Sequence, residues 1–349
     1  MKNLLKIYIF TGLVLLAFQV KSQQLYQFSQ YMLRPSLYNP AATGSDNALC
    51  VFAAGRNQWI GFKDEEGTKI SPNNYLAGAA MPISSISSGV VLMLGYDKIG
   101  YQNSMNIRAD YSYKTEIADG QFVSGGIALQ ISQLTLDISK LLPSDPNDPL
   151  MNQTGKQKDL VPEGGIGFLY SNKNKWWAGL SYMNMFGSTA RLGNIEIQDK
   201  PALIAQGLYK INLVNERFRK IDLVPSMLVK TYFTKTQAEL NVLGYLNDRV
   251  WLGTGYRFED GVILLAGIQA ENLKLGVSYD FTTNEVRKAT GKGSAEVHLS
   301  YCIPGFSSDS KNNALNERPT STENNWKRVI NRNTSQKIKM RSMFNTRHL

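Results

Sequence analysis

From residue 48 to residue 303 the dominant pattern is an alternation of apolar and polar positions with a period of two. Leu273, Leu275, Val277, Tyr279 and Phe281 alternate with Lys274, Gly276, Ser278, Asp280 and Thr282. Met105, Ile107, Ala109, Tyr111 and Tyr113 alternate with Asn106, Arg108, Asp110, Ser112 and Lys114, and residues 294–303 repeat the scheme. A helix would spread these charges around its surface, whereas a strand gathers them on one face. The pattern predicts fourteen strands, near 48–58, 74–83, 88–97, 101–117, 120–136, 164–172, 175–185, 201–213, 222–234, 236–247, 249–259, 261–272, 273–283 and 294–303. Connections as short as Ala118-Asp119, Asn247-Asp248 and Asp260-Gly261 are hairpin turns. No helical pattern of 10–15 residues alternates with the strands, which argues against a parallel α/β sheet.

A soluble sandwich or propeller and a membrane barrel are the two all-β solutions. Most strands are about ten residues long, the length a tilted strand needs to cross a bilayer. Their polar faces carry Arg108, Asp110, Lys114, Lys210, Lys230, Glu239, Lys274 and Asp280, which suits a wet lumen better than a dry core. Aromatic residues gather near strand ends (Tyr96, Tyr101, Tyr170, Trp176, Trp177, Tyr182, Tyr232, Phe233, Tyr245, Trp251, Tyr256, Phe258), as interfacial girdles do. If both termini face the periplasm, the long connections 59–73, 137–163, 186–200 and 284–293 all fall on the outer side. The fold class is therefore all-β, an antiparallel transmembrane β-barrel of about 14 strands, with a plug-like segment before it and a basic tail after it.

Charge sharpens these boundaries. The chain of 349 residues carries a net charge of +10 and a pI near 9.4, which on average invites a nucleic-acid reading. Residues 1–22 read as a secretory signal, with Lys2 and Lys6 before an apolar stretch and Val20-Lys21-Ser22 at the cleavage site. Residues 304–349 hold nine basic residues against Asp309, Glu317 and Glu323. Residues 23–47, the N-terminal periplasmic or plug segment, and 48–303, the barrel, are left nearly neutral, so nucleic acid is excluded as their partner. A mean hydropathy of −0.25 excludes a bundle of spanning helices.

Catalytic and metal chemistry finds little support. The two histidines are His298, on the polar face of the last strand, and His348, near the end of the tail, and neither has a nucleophile in a recognisable setting. Asp145-Pro146-Asn147-Asp148 offers oxygen ligands but lacks the spacing of a calcium loop. Gly125-Gly126 and Gly164-Gly165-Ile166-Gly167 lie inside strands, where close packing explains them better than a phosphate cradle. No enzyme activity, cofactor or metal is expected. Cys50 begins the first strand and Cys302 ends the last, neighbours in a closed barrel, so a seam disulfide and two free thiols are both open to the sequence.

Two segments carry a family likeness. Residues 27–44 read QFSQYMLRPSLYNPAATG, and residues 56–62 read RNQWIGF. They resemble the opening and the first strand end of the PorP/SprF family of type IX secretion outer-membrane proteins, and a sparser likeness runs to Ile303. The resemblance implies a non-enzymatic barrel of the outer membrane working with a periplasmic ring lipoprotein and its partner. It also implies support for the export and surface attachment of cargo such as gliding adhesins, with lipid around it. Phe28, Gln30, Tyr31, Pro35, Tyr38, Asn39, Pro40, Arg56, Gln58 and Trp59 are then the candidate contact residues, or simply plug and interface residues. The tail departs from the likeness. Trp326, Lys327, Arg328 and Arg332 fall where a short amphipathic basic helix could place them, followed by Lys337, Lys339 and Arg341. A lipid anchor, a docking peptide and plain disorder are its three readings. An outer-membrane channel for small solutes is the alternative function.

Overall fold

The computed structural model describes residues 25–303, apart from 47, 65, 142–154, 174, 217, 234 and 284–291. Strands β1 (Leu49–Asn57), β2 (Asn73–Ile83) and β3 (Ser88–Ile99) are followed by three long ones, β4 (Gln102–Ala118), β5 (Gln121–Asp137) and β6 (Lys156–Asn172). Next come β7 (Trp176–Met183) and a separate hairpin, β8 (Thr189–Leu192) with β9 (Ile195–Gln198). The course β10 (Ala202–Tyr209) and β11 (Ile211–Asn215) is interrupted at Lys210. The ring is completed by β12 (Lys220–Thr231), β13 (Thr236–Leu246), β14 (Val250–Arg257), β15 (Gly261–Ala270), β16 (Leu273–Thr282) and β17 (Ser294–Ile303).

Each barrel strand pairs antiparallel with its neighbours. β10 joins β7 to β12, and β1 joins β17 from Leu49↔Ile303 to Asn57↔Ala295, so the sheet has no free edge. With β10 and β11 taken as one stave the barrel is 14-stranded, as the periodicity predicts. Arg108 and Asp110 of β4 are buried while Ile107, Tyr111 and Tyr113 are exposed, and the same parity runs round the ring. Leu92, Leu94, Ile127, Leu129, Leu252 and Leu264 form part of the outward apolar belt, a surface stable only against hydrocarbon. The expected wet lumen is instead filled: the charged inner faces meet the N-terminal segment, which lies inside the barrel.

Cys50 and Cys302 are directly paired residues of β1 and β17 and form a disulfide that closes the seam across 252 residues of chain. This disulfide end also carries Leu49 and Ile303; the far end carries Asn57 and Ser294. β1 begins and β17 ends at this disulfide end, whereas residue 25 lies at the far end. The Leu25 backbone N–H donates to the hydroxyl of Tyr232 (3.0 Å), just past the far-end tip of β12, and the plug then descends to β1.

Four details differ from the sequence reading. β6 begins at Lys156 rather than 164, because its first residues pair with β5 above the apolar belt, where both faces are polar. Residues 186–200 are not a plain loop, since β8 and β9 pack Ala190 and Leu192 on Leu134, Leu136 and Val161. β12 starts at Lys220 and ends at Thr231, which shortens the connection before it. Trp177, Tyr232 and Trp251 are buried inside rather than in the girdle, since each falls on the inward parity of its strand or turn.

Burial pushes the Asp199 carboxyl beside the β8–β9 hairpin up to about 6, with the charge of Glu163 adding to the effect. In the unfolded chain this group titrates near 4, so between about pH 6 and 4 the folded rim holds a proton the unfolded chain has released. Acidification through this window should stabilise the rim. Hydrogen exchange of the β8–β9 amides, corrected for intrinsic rate, should be slower at about pH 5 than at about pH 7.5, with Asp199→Asn abolishing the difference. The seam makes a second prediction. Full-length protein should change mobility on reduction, Cys50→Ser should remove that change, and the variant should lose about 2–4 kcal/mol of stability in chemical unfolding.

Candidate functional site

Residues 25–46 form the plug. Pro35 and Pro40 each open a short 3-10 turn, where a fixed φ costs nothing and a missing N–H is no loss. Asn39 caps the second of these turns, accepting from Ala41 N–H (2.9 Å) through its side-chain oxygen. Its amide donates outward to the carbonyls of Phe168 (3.0 Å) and Leu180 (3.3 Å) on β6 and β7. Tyr38 clasps the segment on itself, its hydroxyl accepting from Phe28 N–H (2.9 Å) and donating to the Tyr26 carbonyl (2.8 Å). Proline, asparagine and tyrosine thus replace the backbone bonds that a helix or strand would have made.

The plug is fixed to the wall through Ser29. Its backbone N–H donates to Glu296 Oε2 (2.7 Å), and Gln30 N–H donates to Glu296 Oε1 (3.1 Å). Its hydroxyl donates to Asp280 and accepts from Arg56 Nη1 (2.9 Å) and Arg257 Nη2 (2.8 Å), which uses its full capacity. Arg56 also pairs with Asp280 (2.7 Å) and Glu296 (3.3 Å), while Arg257 pairs with Asp280 (2.7 Å) and Glu239 (2.7 Å). Arg56 and Arg257 are each 1% exposed, so these are charges taken fully out of water. Lys230 adds a third cation, its Nζ 5.4 Å from the centroid of the Tyr38 ring. The QFSQYM and RNQW segments therefore meet in one place, Ser29 of the first against Arg56 of the second.

Lower in the lumen Arg108 is held by Asp110 (2.7 Å) and donates to the carbonyls of Leu37 (2.8 Å) and Ser36 (3.2 Å). Arg34 pairs with Asp46, donates to Ser300 Oγ (3.1 Å) and lies over the Phe52 ring. Apolar contacts fill the remainder: Tyr31 packs with Ile204, Val224 and Leu243, and Phe28 with Phe52, Leu76 and Met93. At several wall positions, Gly89 and Gly126 among them, the plug comes so close that a Cβ would meet it. A Cβ at Gly126 would collide with the Pro40–Ala41 backbone, and one at Gly276 with the Gln30 amide. Beside the plug is a cavity of about 90 Å³, lined by Tyr26, Phe28, Leu37, Met93, Asp97 and Arg108 among others.

Phe28, Gln30, Tyr31, Pro35, Tyr38, Asn39, Pro40 and Arg56 are thus brought together inside the barrel. Gln58 and Trp59 stand apart at the far rim, where Trp59 adopts φ 49° and meets Phe62 edge to face. His298 is buried on the lumen face of β17. Among the described residues no group of three or more His, Cys, Asp or Glu is arranged to hold a metal ion. Asp145 to Asp148, His348 and the tail residues Trp326, Lys327, Arg328, Arg332, Lys337, Lys339 and Arg341 lie outside the described residues. Sequence reasoning passed over Ser29, Arg257 and Glu296. Ser29 sits within the motif, and the other two follow the polar parity of their strands, which was the available signal.

Removing Arg56 would leave Glu296 without a close cation and Asp280 with Arg257 alone. Arg56→Ala should cost about 3–5 kcal/mol in urea unfolding followed by tryptophan fluorescence, and a loss below about 0.5 kcal/mol would rule out the cluster as the plug's anchor.

The model of the family described as Type IX secretion system membrane protein PorP/SprF matches residues 20–301. No curated protein matches at a significant level. Among solved structures the chain is similar to the CymD monoaromatic hydrocarbon channel, with 10% identity and a TM-score of 0.43 over 80% of this chain and 94% of the other. It is also similar to the toluene transporter TbuX of Ralstonia pickettii (12% identity, TM-score 0.41, 78% and 92% covered). A FadL homologue of Pseudomonas aeruginosa gives 11% identity and a TM-score of 0.39 over 80% and 94%. Likeness at this level is one of general barrel shape.

Proposed function

The chain belongs to the PorP/SprF family of type IX secretion system membrane proteins, and we propose that it serves there as a non-enzymatic, plugged barrel linking surface export to periplasmic partners. The observation that carries this reading is the Ser29 cluster, which binds the two family-like segments into one internal lock and leaves the lumen filled. A barrel whose centre is occupied by its own chain is suited to assembly and anchoring more than to free diffusion. The outer membrane is the location indicated by fold and family together.

In this reading the disulfide end faces the periplasm. Its turns at 84–87, 118–121 and 270–273 are short, whereas the far end carries the longer connections, as outer-membrane barrels show. A disulfide also suits that oxidising compartment. The partners are then the ring lipoprotein and its companion on the periplasmic side and an exported surface adhesin or similar cargo. The cavity beside the plug favours a second reading, a channel for small solutes.

Affinity purification from cross-linked cells, repeated without residues 305–349, should recover secretion-ring components or C-terminally tagged cargo. Recovery of neither would overturn the proposal. In planar bilayers the purified protein should show no large stable openings, and openings that persist would favour the solute channel.

A further inference from the structure

One side of the disulfide-end rim differs in chemistry from the other. The β6–β7 turn carries Lys175, the β11–β12 hairpin ends on Phe218 and Arg219, and the β13–β14 turn carries Arg249. These turns are neighbours, because β6, β7, β10–β11, β12, β13 and β14 follow one another round the ring. On the opposite side the turn at 84–87 is uncharged, and those near Asp119 and Glu271 are acidic.

Within the basic arc some charge is already matched. Lys210 and Lys220 face Asp222 and Asp248 at 3.0 and 2.9 Å. Lys175, Arg219 and Arg249 are exposed and pair with no carboxylate among the described residues. Directly above them the outward wall carries an aromatic girdle. Tyr170 and Trp176 meet edge to face at 5.0 Å, and Tyr209 is the paired neighbour of Trp176. Past Tyr209 the outward face remains apolar through Ile211 and Leu213, and Phe218 at the hairpin tip is 84% exposed. The hairpin therefore continues the lipid-facing surface instead of turning away from it, and the basic residues begin where hydrocarbon gives way to headgroups.

We propose that this arc is a docking surface for anionic phospholipid headgroups. Phe218 seats at the headgroup boundary, and Lys175, Arg219 and Arg249 hold phosphate oxygens, the two arginines through forked donor pairs. Charge on one side only ties that half of the rim to the leaflet and leaves the other half for different contacts.

The test uses the full-length protein in nanodiscs of mixed phosphatidylglycerol and phosphatidylcholine, with a photoactivatable analogue of each lipid. The phosphatidylglycerol probe should label the peptides holding Lys175 and Phe218 in preference to the phosphatidylcholine probe. Neutralising one basic residue should lower that labelling about five-fold, and Lys175→Gln, Arg219→Gln and Arg249→Gln together on the order of 100-fold. Phe218→Ala should lower labelling by both probes at the hairpin. All three positions are exposed, so a mobility shift on heating should confirm that the variants are folded. Equal labelling by the two lipids, labelling unchanged in the triple variant, or labelling confined to residues 304–349 would overturn the proposal.

Discussion

Charge buried in the lumen is the constraint to which the rest of this structure answers. A bilayer requires the outer face of each strand to be apolar, and strict alternation then sends the polar set inward. The far half of the lumen receives Arg56, Arg257 and Lys230 together with Asp280, Glu296 and Glu239. Pairing across the wall neutralises these groups, but a carboxylate has four lone-pair sites, and the strands have already committed their backbone donors to the ladder. The plug supplies what the wall cannot: two free amide N–H groups for Glu296 and one hydroxyl that satisfies Asp280 and two guanidiniums at once. It is part of the barrel's electrostatic closure.

The wall is shaped in return. Glycine occupies positions 126 and 276, where the plug backbone or the Gln30 amide touches the sheet, and a single methyl group would separate the two surfaces. Beginning at Tyr232 on the far end, the plug runs the length of the lumen and becomes β1, and β1 closes on β17 through Cys50 and Cys302. Once that seam is formed, the closed wall surrounds the plug on all sides.

Strand parity was the legible part of the fold. Alternation placed most strand ends within two residues, because each membrane-facing position must be apolar whatever its partners are. It failed where that demand lapses. Lys156, Lys158 and Asp159 lie above the belt, so the start of β6 carried no apolar signal, and Trp177 beside Trp176 was assigned by its nearness to a strand end instead of by its parity. The lock was less legible. Ser29 is 267 residues from Glu296 and 228 from Arg257, and nothing local marks such pairs. The motif residues pointed to the segment, but the atoms that hold it are a serine hydroxyl and backbone amides, which leave no distinctive mark in composition.

These contacts also decide how the barrel can transmit a change. Expelling the plug would break the Ser29 cluster, the Arg34 bond to Ser300, the Arg108 bonds to Ser36 and Leu37, and the Asn39 bonds to β6 and β7 together. Each joins the plug to a different part of the wall, so no single strand movement releases more than a share of them. The two ends are not held in this way. At the far end β5 and β6 rise beyond their neighbours and support a hairpin with its own small core, and at the disulfide end the β11–β12 hairpin carries exposed aromatic and basic residues. The barrel is thus densely packed at its centre and varied at its rims, and the burial of charge around Ser29 is what sets the one apart from the other.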